Sequence, residues 1–162
     1  MKYLLALFLT SLTLLSCSPE LAIEKQDLVG AWRTTSDSRI DEDMSIKEDS
    51  VEIYYADGSF ESQETAWVYW NEDEQIFAMI KGVDKGKWSI EGGNIKIKYS
   101  SLDITHFSSD HPFFTRESLE AEIPDTIREP QWLIPVSING DVLVIRAVED
   151  ETLYTMRRIH DD

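Results

Sequence analysis

The chain has 162 residues, with 31 Asp and Glu against 15 Lys and Arg, a net charge of −16, and a single cysteine. This balance argues against nucleic-acid binding, which draws its affinity from basic residues neutralising phosphates. The lone cysteine excludes an intramolecular disulfide and a multi-thiolate metal site.

The first segment, "MKYLLALFLTSLTLLSC", carries one basic residue, Lys2, and an apolar run from Tyr3 to Leu15. Roughly 13 residues is short of the ~20 needed to cross a bilayer as a helix, and the charged start and apolar middle are those of an export signal. Leu14-Leu15-Ser16-Cys17 resembles a bacterial lipobox. The resemblance implies that residues 1–16 are a lipoprotein signal peptide, cut before Cys17. It also implies that the Cys17 thiol receives a diacylglycerol and that the new amine takes a further chain such as palmitate. Two or three chains make a stable anchor where one is marginal. The alternative is an ordinary signal that leaves Cys17 as a free thiol. Ser18 after the cysteine resembles an outer-membrane address facing the periplasm, and Glu20 keeps surface display open.

Residues 17–26, "CSPELAIEKQ", have no sustained period and read as a tether. Residues 27–162 then form one domain, long enough to bury its own core. "LVGAWRTT" is the first strand, followed by an acidic loop over 36–49. "VEIYYA" places Val51, Ile53 and Tyr55 on one face, and Asp57-Gly58 between alternating runs is a strong hairpin signal. "SFESQETAWVYW" puts Phe60, Ala66, Val68 and Trp70 on one face and Trp67 and Tyr69 on the other. "QIFAMIK" returns, "GVDKG" reads as a turn, and "KWSIE" pairs through Gly92-Gly93-Asn94 with "IKIKYS". "LDITHF" extends or follows that strand. Residues 108–130 are less regular; "ESLEAEI" suggests one or two helical turns that Pro124 stops. "QWLIPVSI", a hairpin at Asn139-Gly140, "DVLVIRAV" and "TLYTMRRI" close the series.

The pattern is all-β: about eight to ten antiparallel strands in sequence order, with a short irregular or helical insertion around 108–130. A meander of this length removes its exposed edges by closing into an up-and-down barrel; an open sandwich is the alternative.

Leu28-x-Gly30-x-Trp32, Asp57-Gly58-Ser59-Phe60, Gly86-Lys87-Trp88 and Arg157 resemble the lipocalin-like proteins. That resemblance implies a barrel whose early tryptophan, Trp32, plugs the closed end, with an arginine of the last strand, Arg157 or Arg158, across its ring. Cation–π contact of this kind gains roughly 0.5 to 2 kcal/mol, and Gly30 lets another group approach closely. The family's mid-chain Thr-Asp-Tyr loop and C-terminal helix have no equivalent here.

An eight-stranded barrel is either filled by side chains or holds one small ligand. Tyr55, Trp67, Tyr69, Trp70, Trp88 and Trp132 are the candidates to line a pocket, or equally to pack a solid core. Asp103, His106, Asp110 and His111 fall close together, and His160 lies near the end, but their spacing fits no metal motif. No phosphate loop, nucleophile elbow or paired His-Glu helix motif is present, so neither catalytic residues, a metal nor a cofactor is expected. Two functions remain. One is an envelope lipoprotein whose barrel binds or sequesters a small apolar ligand. The other is an acidic protein-binding module, of inhibitor or immunity type, for a basic envelope partner.

Overall fold

The computed structural model describes residues 21–160 except 22, 41, 73 and 150. Cys17, Ser18, Glu20 and the apolar run before them lie outside the described residues. Eight antiparallel strands follow one another around a closed barrel: β1 (Gly30–Arg39), β2 (Met44–Tyr54), β3 (Ser59–Trp70), β4 (Ile76–Glu91), β5 (Asn94–Ser109), β6 (Gln131–Asn139), β7 (Val142–Ala147) and β8 (Leu153–Ile159). Closure is made by β1 on β8, with Trp32 opposite Arg158 and Thr34 opposite Met156. Among the described residues there are also two helices, α1 (Lys25–Leu28) before β1 and α2 (Arg116–Arg128) between β5 and β6.

Several expected boundaries move. The acidic loop over 36–49 is mostly strand, since β1 runs to Arg39 and β2 starts at Met44. "GVDKG" does not turn: β4 passes through it as one 16-residue strand. Its glycines instead flank register shifts against β5, at Lys81/Gly82 and Lys85/Gly86. Bulges of this kind bend and twist a long strand so that the sheet can curl shut. A Cβ on Gly86 would lie 2.4 Å from the Lys98 carbonyl oxygen, so only glycine fits that crossing. Pro124 does not end α2, which continues to Arg128. Proline removes one helical hydrogen bond. The first turn is secured by Thr115, whose Oγ1 accepts from the Ser118 amide at 3.2 Å.

The tight turns form where the sequence places them. Gly58 (φ +83°), Gly92 (+60°), Gly93 (+81°) and Gly140 (+57°) all adopt left-handed backbone at hairpin ends.

The core sits in two parts. The larger fills the end of the barrel under α1, around Leu28, Trp32, Tyr54, Phe60, Trp88 and Met156. Ile23 is buried in it too, so the segment before β1 helps seal that end. The smaller part, Val68, Phe77 and Ala78 with Trp70 and Phe114 against them, lies toward the other end.

Trp32 is fully buried, and its indole N–H donates to the Leu28 carbonyl at 2.7 Å. The arginine across its ring is Arg158, at 4.2 Å from the ring centroid. Arg157, the residue matched to the family pattern, is exposed and stands opposite Arg33. Strand parity decides this: Met156 is buried inside, so Arg158 shares its face and Arg157 takes the other. The Arg158 guanidinium also donates to the carbonyls of Val29 (2.7 Å) and Asp27. Gly30 has φ +130°, a backbone conformation that favours glycine, and a Cβ there would also come within 2.9 Å of Arg158 Nη1.

Candidate ligand-binding chamber

Between the two apolar ends the barrel is hollow. The inward register is set at the closed end, where Tyr54 meets the rings of Phe60 and Trp88 edge-on at 5.2 and 5.4 Å. Because side chains alternate with period two, anchoring Tyr54 inside carries Glu52, Ser50 and Glu48 inside as well. Phe60 does the same for Ser62 and Glu64, and Trp32 for Thr34 and Ser36. The hydrophobic set Val51, Ile53 and Tyr55 consequently takes the outer face of β2.

The result is a cavity of about 140 Å³ whose wall includes Thr34, Ser36, Glu48, Ser50, Glu52, Ser62, Glu64 and Asp84. Tyr99, Gln131 and Tyr154 border it, and Phe60, Ile97, Leu133 and Ile145 supply its apolar wall. Four carboxylates therefore face one small space, and among the described residues no Lys, Arg or His lines it.

A second space of about 240 Å³ opens from the same region under α2, lined by Ile46, Ala66, Ile80, Leu102, Ile104, Leu119 and Ile123. Glu64 and Asp84 border both spaces, so an acidic chamber leads into an apolar vestibule. The seam explains the opening. β5 pairs with β6 only from Ile95 to Ile97, and further along α2 packs against β5, tied by an Arg116 hydrogen bond to the Ile104 carbonyl at 2.9 Å. Together the two spaces fall in the lower part of the ~300 to 1,000 Å³ typical of small-molecule sites.

The electrostatics follow from enclosure. Burial raises the Glu64 carboxyl to about 7, helped by the nearby charges of Glu48, Asp84 and Glu52. Burial likewise lifts Asp84 to about 6, with Asp103 adding to it. Glu52 is also raised by burial, although a hydrogen bond from the Tyr54 hydroxyl at 2.6 Å favours its charged form. Ser36 Oγ donates to Glu48 at 2.6 Å, and Tyr99 donates to Gln131 Oε1 at 3.0 Å. Thr34, 7 % exposed, has a buried hydroxyl with no protein partner among the described residues.

None of the six aromatic candidates lines this chamber. Trp88 is buried in the closed end, donating to the Tyr55 carbonyl at 3.0 Å, while Tyr55 itself is 42 % exposed. Trp70 packs on Phe77 at the other end. Trp132 lies on the barrel wall under the Lys96 ammonium, 4.9 Å from its ring centroid. Trp67 and Tyr69 border an outer groove with Ile76, Asp37 and Lys47, the Tyr69 hydroxyl donating to Asp37 at 2.6 Å.

The histidines are also dispersed. His111 packs on Trp70 and Phe77, His106 is exposed on β5, and His160 Nε2 is 3.0 Å from Asp141. Asp103 borders the vestibule alone of its group. Among the described residues no three His, Cys, Asp or Glu side chains are placed to hold a metal ion, and no helix is long and apolar enough to cross a membrane.

No protein-family model matches the sequence, and none of the curated proteins is significantly similar to it.

Proposed function

We propose that this protein is an envelope lipoprotein, anchored through Cys17, that takes one small ligand into its lipocalin-like barrel. The observation that carries the reading is the hollow, polar middle of a barrel whose ends are packed. A barrel kept only as a scaffold gains most from an interior filled to crystal-like density with apolar side chains. Oxygen-bearing side chains at the middle layer weaken the core instead, a pattern typical of binding sites that trade stability for function.

The ligand we envisage is small and amphiphilic. Its apolar body occupies the vestibule against Ile80, Ile104 and Leu119, and its polar head reaches the chamber. A wholly apolar molecule would leave the chamber oxygens dry and unpartnered, which costs about 1 to 3 kcal/mol for each such group.

A thermal-shift screen of small amphiphiles against the wild-type chain and a Ser62→Trp variant tests the reading, since the new indole would occupy the chamber. Some amphiphiles should raise the wild-type melting temperature and none that of the variant. Equal responses, or none in the wild type, would overturn it. Cys17→Ser should release the protein from the membrane fraction; retention there would contradict the anchor.

A further inference from the structure

We propose that the head group this chamber takes is an organic ammonium, so that the ligand is an alkylamine or a related amphiphilic cation. The inference rests on the ligand-binding reading above and deepens it.

Glu48, Glu52, Glu64 and Asp84 come from three successive strands and converge on one cavity that no basic side chain among the described residues lines. Structural carboxylates in an interior are normally paired, because leaving water without a partner is costly. Among the described residues their protein donors are neutral hydroxyls, from Tyr54 to Glu52 and from Ser36 to Glu48. Elsewhere in the same barrel carboxylates do find cations: Asp49 with Arg33 on the outer face at 2.6 Å, and Glu91 with Lys96 at 3.1 Å. The missing counter-charge is therefore specific to the chamber.

Thr34 supplies an independent pointer. Its hydroxyl is buried in the chamber wall and has no partner among the described residues, and a hydroxyl can accept a hydrogen bond from an N–H donor. An ammonium brings up to three donors and a positive charge, matching an acceptor-rich wall.

A bare metal ion fits less well. Carboxylate ligands must approach to within about 2.0 to 2.6 Å of a Ca²⁺ or Mg²⁺ ion, and among the described residues no three carboxylates, although they share the cavity, are placed closely enough to hold one. The apolar vestibule bordered by the same Glu64 and Asp84 selects a cation with a hydrocarbon tail.

The test uses three probes of one chain length, hexylamine, 1-hexanol and hexanoate, titrated calorimetrically at pH 8 into the full chain and into a Glu64→Gln/Asp84→Asn variant. Charge-assisted hydrogen bonds are roughly twice as strong as neutral ones, so hexylamine should bind about tenfold to a hundredfold more tightly than hexanol. Hexanoate should be the weakest of the three, and the amine preference should disappear in the variant with hexanol affinity retained. Equal or stronger binding of hexanol or hexanoate would overturn the ammonium assignment while leaving the ligand-binding reading in place. An amine preference that survives in the variant would also overturn it. If none of the probes binds while amphiphiles of other head groups stabilise the protein in the thermal-shift screen, the ammonium assignment fails alone. If neither experiment detects binding, the chamber reading fails with it.

Discussion

Glu64→Gln should stabilise this protein at pH 8 and leave it nearly unchanged at pH 5. The glutamate faces Glu48 and Glu52 of β2 and Asp84 of β4, and its carboxyl is raised from an ordinary 4.5 to about 7. A group with a raised folded pKa binds a proton in the native state that the unfolded chain has already lost. Its contribution is therefore fully present below pH 4.5 and is lost as pH rises through about 7. At about 1.4 kcal/mol per unit, the difference corresponds to about 3 kcal/mol, reduced to about 2 once water reaching the cavity is allowed for. Asp84, raised to about 6, works in the same direction. The exposed Arg33–Asp49 pair acts oppositely, but only at acid pH, because Asp49 sits below its ordinary 3.8. Thermal unfolding at pH 5, 6, 7 and 8 measures the effect. The wild type should lose roughly 4 to 8 °C across that range, at about 2 to 4 °C per kcal/mol, and the variant should lose distinctly less. A wild-type melting temperature that rises toward pH 8, or a variant with the same slope, would refute the argument that these carboxylates share an enclosed space.

Three further expectations concern the frame around the chamber. Trp32→Ala should cost about 3 to 5 kcal/mol, as for other buried aromatics, with binding retained in the folded fraction; denaturant unfolding measures the loss. Arg158→Met should cost about 1 to 3 kcal/mol by removing the cation over Trp32 and leaving the Val29 carbonyl without its donor, whereas Arg157→Met should fall within about 0.5 kcal/mol. The same unfolding assay separates the two. Gly86→Ala should destabilise the barrel by about 1 to 3 kcal/mol, because its methyl would press on the Lys98 carbonyl and force the β4–β5 crossing apart; amide exchange should quicken there first.

The barrel was legible in the sequence because its turns carry local chemistry. Asp57-Gly58, Gly92-Gly93 and Asn139-Gly140 need left-handed backbone, and each marks a hairpin. The closed end was legible too, since Trp32 and its arginine depend on few residues, although sequence matching favoured Arg157 and only the pairing of β8 with β1 selects Arg158. Gly82 and Gly86 misled because a glycine that permits a bulge or a close crossing looks like one that permits a turn.

The chamber was read least well. In "VEIYYA" the alternation places Val51, Ile53 and Tyr55 on one face without saying which face is inside; Tyr54 is the anchor and brings Glu52 inward with it. The signal was present in the spacing of the aromatic anchors. Trp32, Tyr54 and Phe60 share parity with Thr34 and Ser36, with Glu52, Ser50 and Glu48, and with Ser62 and Glu64. Three neighbouring strands that each place polar residues beside an inward aromatic describe a polar barrel layer. Hydrophobicity alone, scored strand by strand, assigns those residues to solvent.

The account's central claim is that the middle of the barrel is a ligand chamber, and native mass spectrometry of the protein purified from the cells that make it tests it most directly. The wild type should carry one non-covalent small molecule per chain, absent from Ser62→Trp prepared in the same way. Wild-type protein found only without a non-covalent adduct, or an adduct retained by Ser62→Trp, would contradict the claim.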